Sequence, residues 1–145
     1  MIEKLNSIFH SATECRERGY PCAMAKKNVK KFYKPDDGIK DKDLEQKLFT
    51  EHPPMLSDCV AVYDESKVAI IEIKCAKVTN SIIKGVIKKL TNTSKIITNK
   101  EVVVTKYMLL YKKFEDKQIN KILSTKRIDG KPIISKKYEN KAIAI

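Results

Sequence analysis

The sequence predicts an α/β fold in which a mixed central β-sheet is flanked by helices. Three observations carry that prediction. Residues 53–77 hold two short apolar runs, rich in β-branched side chains, on either side of the polar turn Asp64-Glu65-Ser66-Lys67, which is the pattern of a β-hairpin. Ile82, Ile83, Val86, Ile87 and Leu90 then recur at helical spacing. Val102 to Tyr111 follows as a near-continuous apolar run, as expected of a central strand covered on both faces. Strands and helices in this alternation belong to one layered sheet.

The remaining elements follow in chain order. Ile2, Leu5, Ile8, Phe9, Ala12 and Cys15 are spaced for a helix from residue 2 to about residue 18, with Gly19 as its stop. Residues 20–25 read as a short strand. Residues 26–54 are the least regular stretch and are expected to be an insertion or loop region within a single domain spanning residues 1–145. This stretch opens on a basic run and passes through Pro35-Asp36-Asp37-Gly38, a strong turn signal. A short helix near residues 41–49 closes it. After the hairpin, Thr79 or Asn80 can cap a helix over residues 81–90. A strand is expected over 101–112 and a helix over 117–123. Edge strands or a tail are expected over 131–135 and 141–145.

Charge and length bound the function. Lysine plus arginine number 30 against 18 acidic residues, a net charge of +12, so the protein's field favours polyanions, nucleic acid first and an anionic membrane surface second. The only arginines are Arg16, Arg18 and Arg127. Lysine is a point charge for phosphate rather than a fork for base edges, which favours backbone binding over sequence reading. The competing explanation for the lysine, isoleucine and asparagine content is an AT-rich genome. No run of about 18 apolar residues is present, which excludes a transmembrane helix. The N-terminus lacks a signal-peptide pattern, so an intracellular, cytoplasmic location is expected. Cys15, Cys22, Cys59 and Cys75 form no C-x-x-C, and neither His10 nor His52 stands at zinc-ligand spacing; buried free thiols are the expectation, with a Cys59–Cys75 disulfide on the hairpin as the alternative in an oxidising or hyperthermophilic setting.

Two features do not belong in a plain core hairpin. Asp58 opens its first strand, and Glu72 and Lys74 interrupt the second. Charges are rarely buried unless paired or metal-bound. Glu72 and Lys74 share one face, because side chains alternate along a strand. A three-residue loop, Asp64 to Ser66, sets Asp58 directly across from Glu72. A two-residue loop sends it to the opposite face.

Asp58, followed by Glu72-Ile73-Lys74 at the end of the next apolar strand and preceded at a short distance by prolines, resembles the PD-(D/E)xK nuclease superfamily. The departure from the pattern is that Pro54 does not immediately precede Asp58. The resemblance covers about a quarter of the chain closely and the rest by order of elements. It implies a restriction-endonuclease-like core and a metal-dependent DNA endonuclease. Asp58 and Glu72 would hold Mg²⁺, with Mn²⁺ as a substitute, and the carbonyl of Ile73 would add a ligand. Lys74 would assist the attacking water. The first helix of such nucleases can add an acid; Glu3 and Glu14 are the candidates, set against the commoner reading of a surface glutamate. The small size suggests a stand-alone enzyme of the Holliday-junction-resolvase or viral nuclease sort, acting as a homodimer, in the host cytoplasm if viral. Mg²⁺ prefers hard oxygen ligands and is often held by one or two carboxylates plus waters, which is why this residue set suits phosphodiester hydrolysis.

The nucleic-acid contacts expected from the basic residues are Lys26, Lys27, Lys30 and Lys31 before the hairpin, and Lys84 and Lys88, four apart on the helix after it. A solvated basic surface is the plain alternative for each group. At the level of the whole chain, the alternative is a non-catalytic nucleic-acid-binding protein on a decayed nuclease fold. Register separates the two: carboxylates facing opposite sides of the sheet would favour the decayed form.

Overall fold

The computed structural model describes residues 1–17, 22–24, 27–139 and 145. Its elements are α1 (Ile2–Ile8), β1 (Ser11–Ala12), β2 (Cys15–Arg16), β3 (Ala23–Met24), β4 (Val29–Tyr33), α2 (Lys42–Leu48), β5 (Cys59–Tyr63), β6 (Lys67–Lys74), α3 (Asn80–Asn99), β7 (Lys106–Tyr111), α4 (Lys117–Ser124), β8 (Arg127–Ile128) and β9 (Lys131–Lys137). A single 3₁₀ turn, Pro35–Asp37, follows β4. Among the described residues, seven strands form one mixed sheet in the order β1-β4-β5-β6-β7-β9-β8. The fold is therefore α/β, with a mixed sheet flanked by four helices.

The hairpin β5–β6 is antiparallel, and β6, β7 and β9 run parallel to one another. Parallel neighbours need crossovers, supplied by α3 between β6 and β7 and by α4 between β7 and β9. Crossovers of one hand leave both helices on one face of the sheet. Val60, Val62, Val68, Ile70 and Leu109 line that face and pack against Ile83, Val86 and Leu90 of α3 and Ile119 of α4. The opposite face carries Ala61, Ala69, Ile71, Ile73, Met108 and Leu110. There β2 and β3 form a separate two-stranded ribbon, fastened to the hairpin by the disulfides Cys15–Cys59 and Cys22–Cys75.

Local chemistry sets the helix starts. Asp41 caps α2 by accepting from the N–H of Leu44, Thr79 caps α3 through the N–H of Ile82, and Asp116 caps α4 through the N–H groups of Gln118 and Ile119. The hairpin turn is the three-residue loop, with Asp64 at φ 43° and Glu65 at φ 69°. Both lie in the left-handed region, which aspartate tolerates better than most side chains.

Several sequence expectations are corrected. The first helix ends at Ile8 rather than near residue 18, because Ser11–Ala12 pairs with Phe32 and Tyr33 of β4 and Cys15 enters the second core. Gly19, its expected stop, lies outside the described residues, as do residues 20, 21 and 25 of the next expected strand and the greater part of residues 141–145. Val29–Tyr33, expected within an insertion or loop region, is a strand paired with β5. The helix after the hairpin extends to Asn99, and Leu90, Thr93 and Ile97 continue its buried side. The strand expected over 101–112 starts only at Lys106, and Val103 is 70% exposed. β9, expected at an edge, lies between β7 and β8. The four cysteines, expected as free thiols, are paired.

Candidate active site

The hairpin register decides the geometry of the charged residues. Cys59 pairs with Ile71 and Val60 with Ile70, so Asp58, one residue before β5, stands across from Glu72. The two carboxylates exchange backbone hydrogen bonds: the N–H of Asp58 donates to Glu72 Oε1 at 3.0 Å, and the N–H of Ile73 donates to Asp58 Oδ2 at 2.8 Å. Each acid is thus fixed by the strand that carries the other. Both face the α3 side of the sheet, in line with Val60, Ile70 and Lys74.

Burial makes this pair costly. Glu72 is fully buried and Asp58 is 8% exposed. Two ammonium groups offset the charge: Lys89 Nζ lies 3.1 Å and Lys74 Nζ 3.5 Å from Glu72 Oε2. That oxygen nevertheless has no hydrogen-bond partner among the described residues. Burial first, and the Asp58 carboxylate second, push the Glu72 carboxyl up from its ordinary 4.5 to about 8, against the pull of Lys74 and Lys89. At Lys89 burial is the largest single influence and acts downward, but the pull of Glu72 with that of Asp58 added holds the ammonium above its ordinary value.

A buried polar clamp positions the segment entering this site. Thr93 of α3 accepts from both the N–H and the hydroxyl of Ser57, each at 2.9 Å, and donates to the carbonyl of Lys89 at 2.8 Å. Ser57 and Thr93 are both fully buried. Asn92 adds a bond to the carbonyl of Met55 at 3.0 Å. The residue before Asp58 and the helical turn carrying Lys89 are therefore held by one hydroxyl.

The donor set fits a divalent cation. It offers hard carboxylate oxygens, and Oε2 of Glu72 is buried with no hydrogen-bond partner among the described residues beyond its ion pairs with Lys89 and Lys74. Among the described residues no three His, Cys, Asp or Glu side chains come together as a metal cluster; Asp58 and Glu72 are a pair. A pair suffices for Mg²⁺, which commonly takes one or two carboxylates and completes its shell with water and phosphate. Ile73 lies between the motif residues with its side chain in the opposite core. Glu3 is exposed on α1, and its side chain makes no ion pair or hydrogen bond among the described residues. Glu14 is exposed and paired with Arg16 at 3.1 Å.

The lysines expected to contact nucleic acid fall into two places. Lys26 lies outside the described residues. Lys27 and Lys30 are exposed near the far end of the hairpin, since Val29 pairs with Tyr63. Tyr63 is five residues beyond Asp58, roughly 17 Å along a strand. Lys31 donates to Asn6 Oδ1 at 2.7 Å and lies over the Tyr33 ring. Phe32 and Tyr33 are buried rather than presented to solvent. Lys84 and Lys88 are exposed on the same helix as Lys89, and Lys88 pairs with Glu51 at 2.9 Å.

Lys89 is the residue sequence reasoning missed. The signal was present: Lys89 stands seven residues after Ile82 and three after Val86, so it interrupts the apolar stripe of α3 with a charge. A lysine at such a position calls for a buried partner, here Glu72. Comparison of the chain with protein-family models, with curated proteins and with solved structures finds no match. Among the described residues no helix is long and apolar enough to cross a membrane.

Proposed function

We propose that the protein is a metal-dependent DNA endonuclease that hydrolyses phosphodiester bonds at Asp58, Glu72, Lys74 and Lys89. The observation that carries this reading is the opposition of Asp58 and Glu72 on one face, with a buried Glu72 oxygen held among the described residues by the ammonium groups of Lys74 and Lys89. Asp58 and Glu72 would hold Mg²⁺, with Mn²⁺ as a substitute and the Ile73 carbonyl as a further ligand. The bound cation would supply phosphate neutralisation and a more acidic water. Lys74, its side chain 20% exposed, orients the attacking water. Lys89, 23% exposed at its side chain and ion-paired with Glu72, offsets negative charge as it builds on the phosphate. Because its carboxyl is raised, Glu72 would have to release a proton near neutral pH to hold a cation.

Register speaks against the alternative of a decayed, non-catalytic nuclease fold, because the two carboxylates face one side rather than opposite sides. Small size and one site per chain favour a homodimer for cutting both strands. We place the protein inside the cell, in the host cytoplasm if it is viral. Its two cystines are at odds with an ordinary reducing cytoplasm and favour the interior of a high-temperature organism or an oxidising compartment. Calorimetric titration with Mg²⁺ and Mn²⁺ tests the metal assignment. Binding that is present in the unsubstituted chain and lost in Asp58→Asn and Glu72→Gln is the expected result. Binding that survives both substitutions overturns it.

A further inference from the structure

The α3 face of the sheet carries a second charged row beside the carboxylates. Glu72 pairs with Leu109, and Leu109 with Ser135; one step further along the strands, Lys74 pairs with Tyr111 and Tyr111 with Lys137. Residues paired across a sheet point to the same side. Lys74, Tyr111 and Lys137 therefore form a transverse row on the face that holds Asp58 and Glu72, at the carboxyl ends of three parallel strands. Neighbouring strands lie about 4.8 Å apart, so the row spans roughly 10 Å between its two lysine Cα atoms.

The row is built on a fixed backbone. Beyond the strand ends, the N–H of Lys112 donates to the carbonyl of Lys74 at 3.1 Å, that of Val78 to Lys113 at 2.9 Å and that of Tyr138 to Tyr111. Tyr111 stacks on Phe114, with ring centroids 4.1 Å apart, and remains partly exposed. Lys137 is exposed, with neither an ion pair nor a side-chain hydrogen bond among the described residues. Exposed Lys77, Lys112 and Lys113 surround the same ends, against the acids Glu115, Asp116 and Glu139. The crevice outside the carboxyl ends of parallel strands is where open α/β sheets take their ligands. By contrast, Lys27 and Lys30 sit near the opposite end of the hairpin from the carboxylates.

We propose that the nucleic-acid backbone crosses the carboxyl ends of the parallel strands, running from the Asp58–Glu72 carboxylates over Lys74, Tyr111 and Lys137, and not past the Lys27–Lys30 end. This rests on the endonuclease reading above and deepens it. Lys137 takes a phosphate next to the one being cut. The exposed edge of Tyr111 lies between the two lysines, where a sugar or base packs on the ring pair it forms with Phe114.

The test is duplex-DNA binding across a salt series in EDTA, with unsubstituted protein, Lys137→Gln, Tyr111→Phe and Lys30→Gln, and with melting curves to show that each variant folds. Lys137→Gln should bind several-fold more weakly and lose about 0.9 from the log–log salt slope, the value of one neutralised phosphate. Lys30→Gln should match the unsubstituted chain. Tyr111→Phe keeps the ring and should change binding less than Lys137→Gln. DNA binding that Lys137→Gln leaves intact and Lys30→Gln weakens overturns the path while leaving the nuclease reading standing. Absence of DNA binding by the unsubstituted chain, or retention on anionic vesicles alone, overturns both.

Discussion

Glu72→Gln should stabilise the metal-free protein, and the gain should grow with pH. The Glu72 carboxyl is raised from 4.5 to about 8, with burial as the main cause. Below the lower value both folded and unfolded chains keep the proton, and the group has no effect on stability. Between the two values the unfolded chain ionises while the folded one does not, so stability falls as pH rises. Above about 8 both are ionised and the loss is complete. At about 1.4 kcal/mol per pH unit, the cost is roughly 3 kcal/mol at neutral pH and reaches a ceiling of about 5 kcal/mol. The attractions to Lys74 and Lys89 are already contained in that raised value. Glutamine keeps the acceptor for the Asp58 N–H without the charge, so the variant should escape this cost. For a chain of this size the gain at neutral pH corresponds to a rise in Tm of roughly 10 °C. Differential scanning calorimetry of both proteins in EDTA, from about pH 5 to about pH 9, reads it directly. Added Mg²⁺ should then raise the Tm of the unsubstituted protein and leave the variant unmoved. A difference that is flat across pH, or a variant less stable than its parent above pH 8, refutes the reasoning.

Other outcomes follow from the same geometry. Asp58→Asn removes the negative neighbour of Glu72, so the Glu72 carboxyl should titrate closer to its ordinary value, which carbon-detected NMR of the side chain would resolve. Thr93→Val leaves the N–H and hydroxyl of Ser57 without their acceptor in a fully buried place. Urea unfolding should show a loss of about 1–3 kcal/mol, and an unchanged midpoint would mean that the clamp is not needed. The cystines close intervals of 44 and 53 residues, and on the chain-entropy account each contributes about 4 kcal/mol. A reductant should therefore lower the Tm well below that of the oxidised protein; equal values would show that the ribbon is held by packing alone.

The central hairpin was legible because its signals agree. A polar turn between two β-branched runs specifies the hairpin; its register was open between a three-residue and a two-residue loop, and the structure adopts the three-residue one. The N-terminal region was not legible in this way. Cys15 falls on the helical period of residues 2–12, yet it bonds to Cys59 of the hairpin, and no local pattern encodes a partner 44 residues away. Val29–Tyr33 was hidden for a similar reason: its lysines at positions 30 and 31 mask the strand, and only pairing with β5 reveals it. In the site, Asp58, Glu72 and Lys74 could be read from spacing. Lys89 required the depth of α3 against the sheet, because its partner lies in another element. The Lys74–Tyr111–Lys137 row depends on parallel register, which the sequence does not state.

The most direct measurement is cleavage itself. Supercoiled plasmid, linear duplex and branched DNA are incubated with the protein in Mg²⁺, Mn²⁺ or EDTA, alongside Glu72→Ala with its folding confirmed by circular dichroism. Strand breaks in either metal, none in EDTA and none with Glu72→Ala are the predicted result. Cleavage retained by Glu72→Ala, or no cleavage of any of the three substrates by the unsubstituted protein in either metal, would contradict the assignment of Asp58, Glu72, Lys74 and Lys89 as a nuclease site.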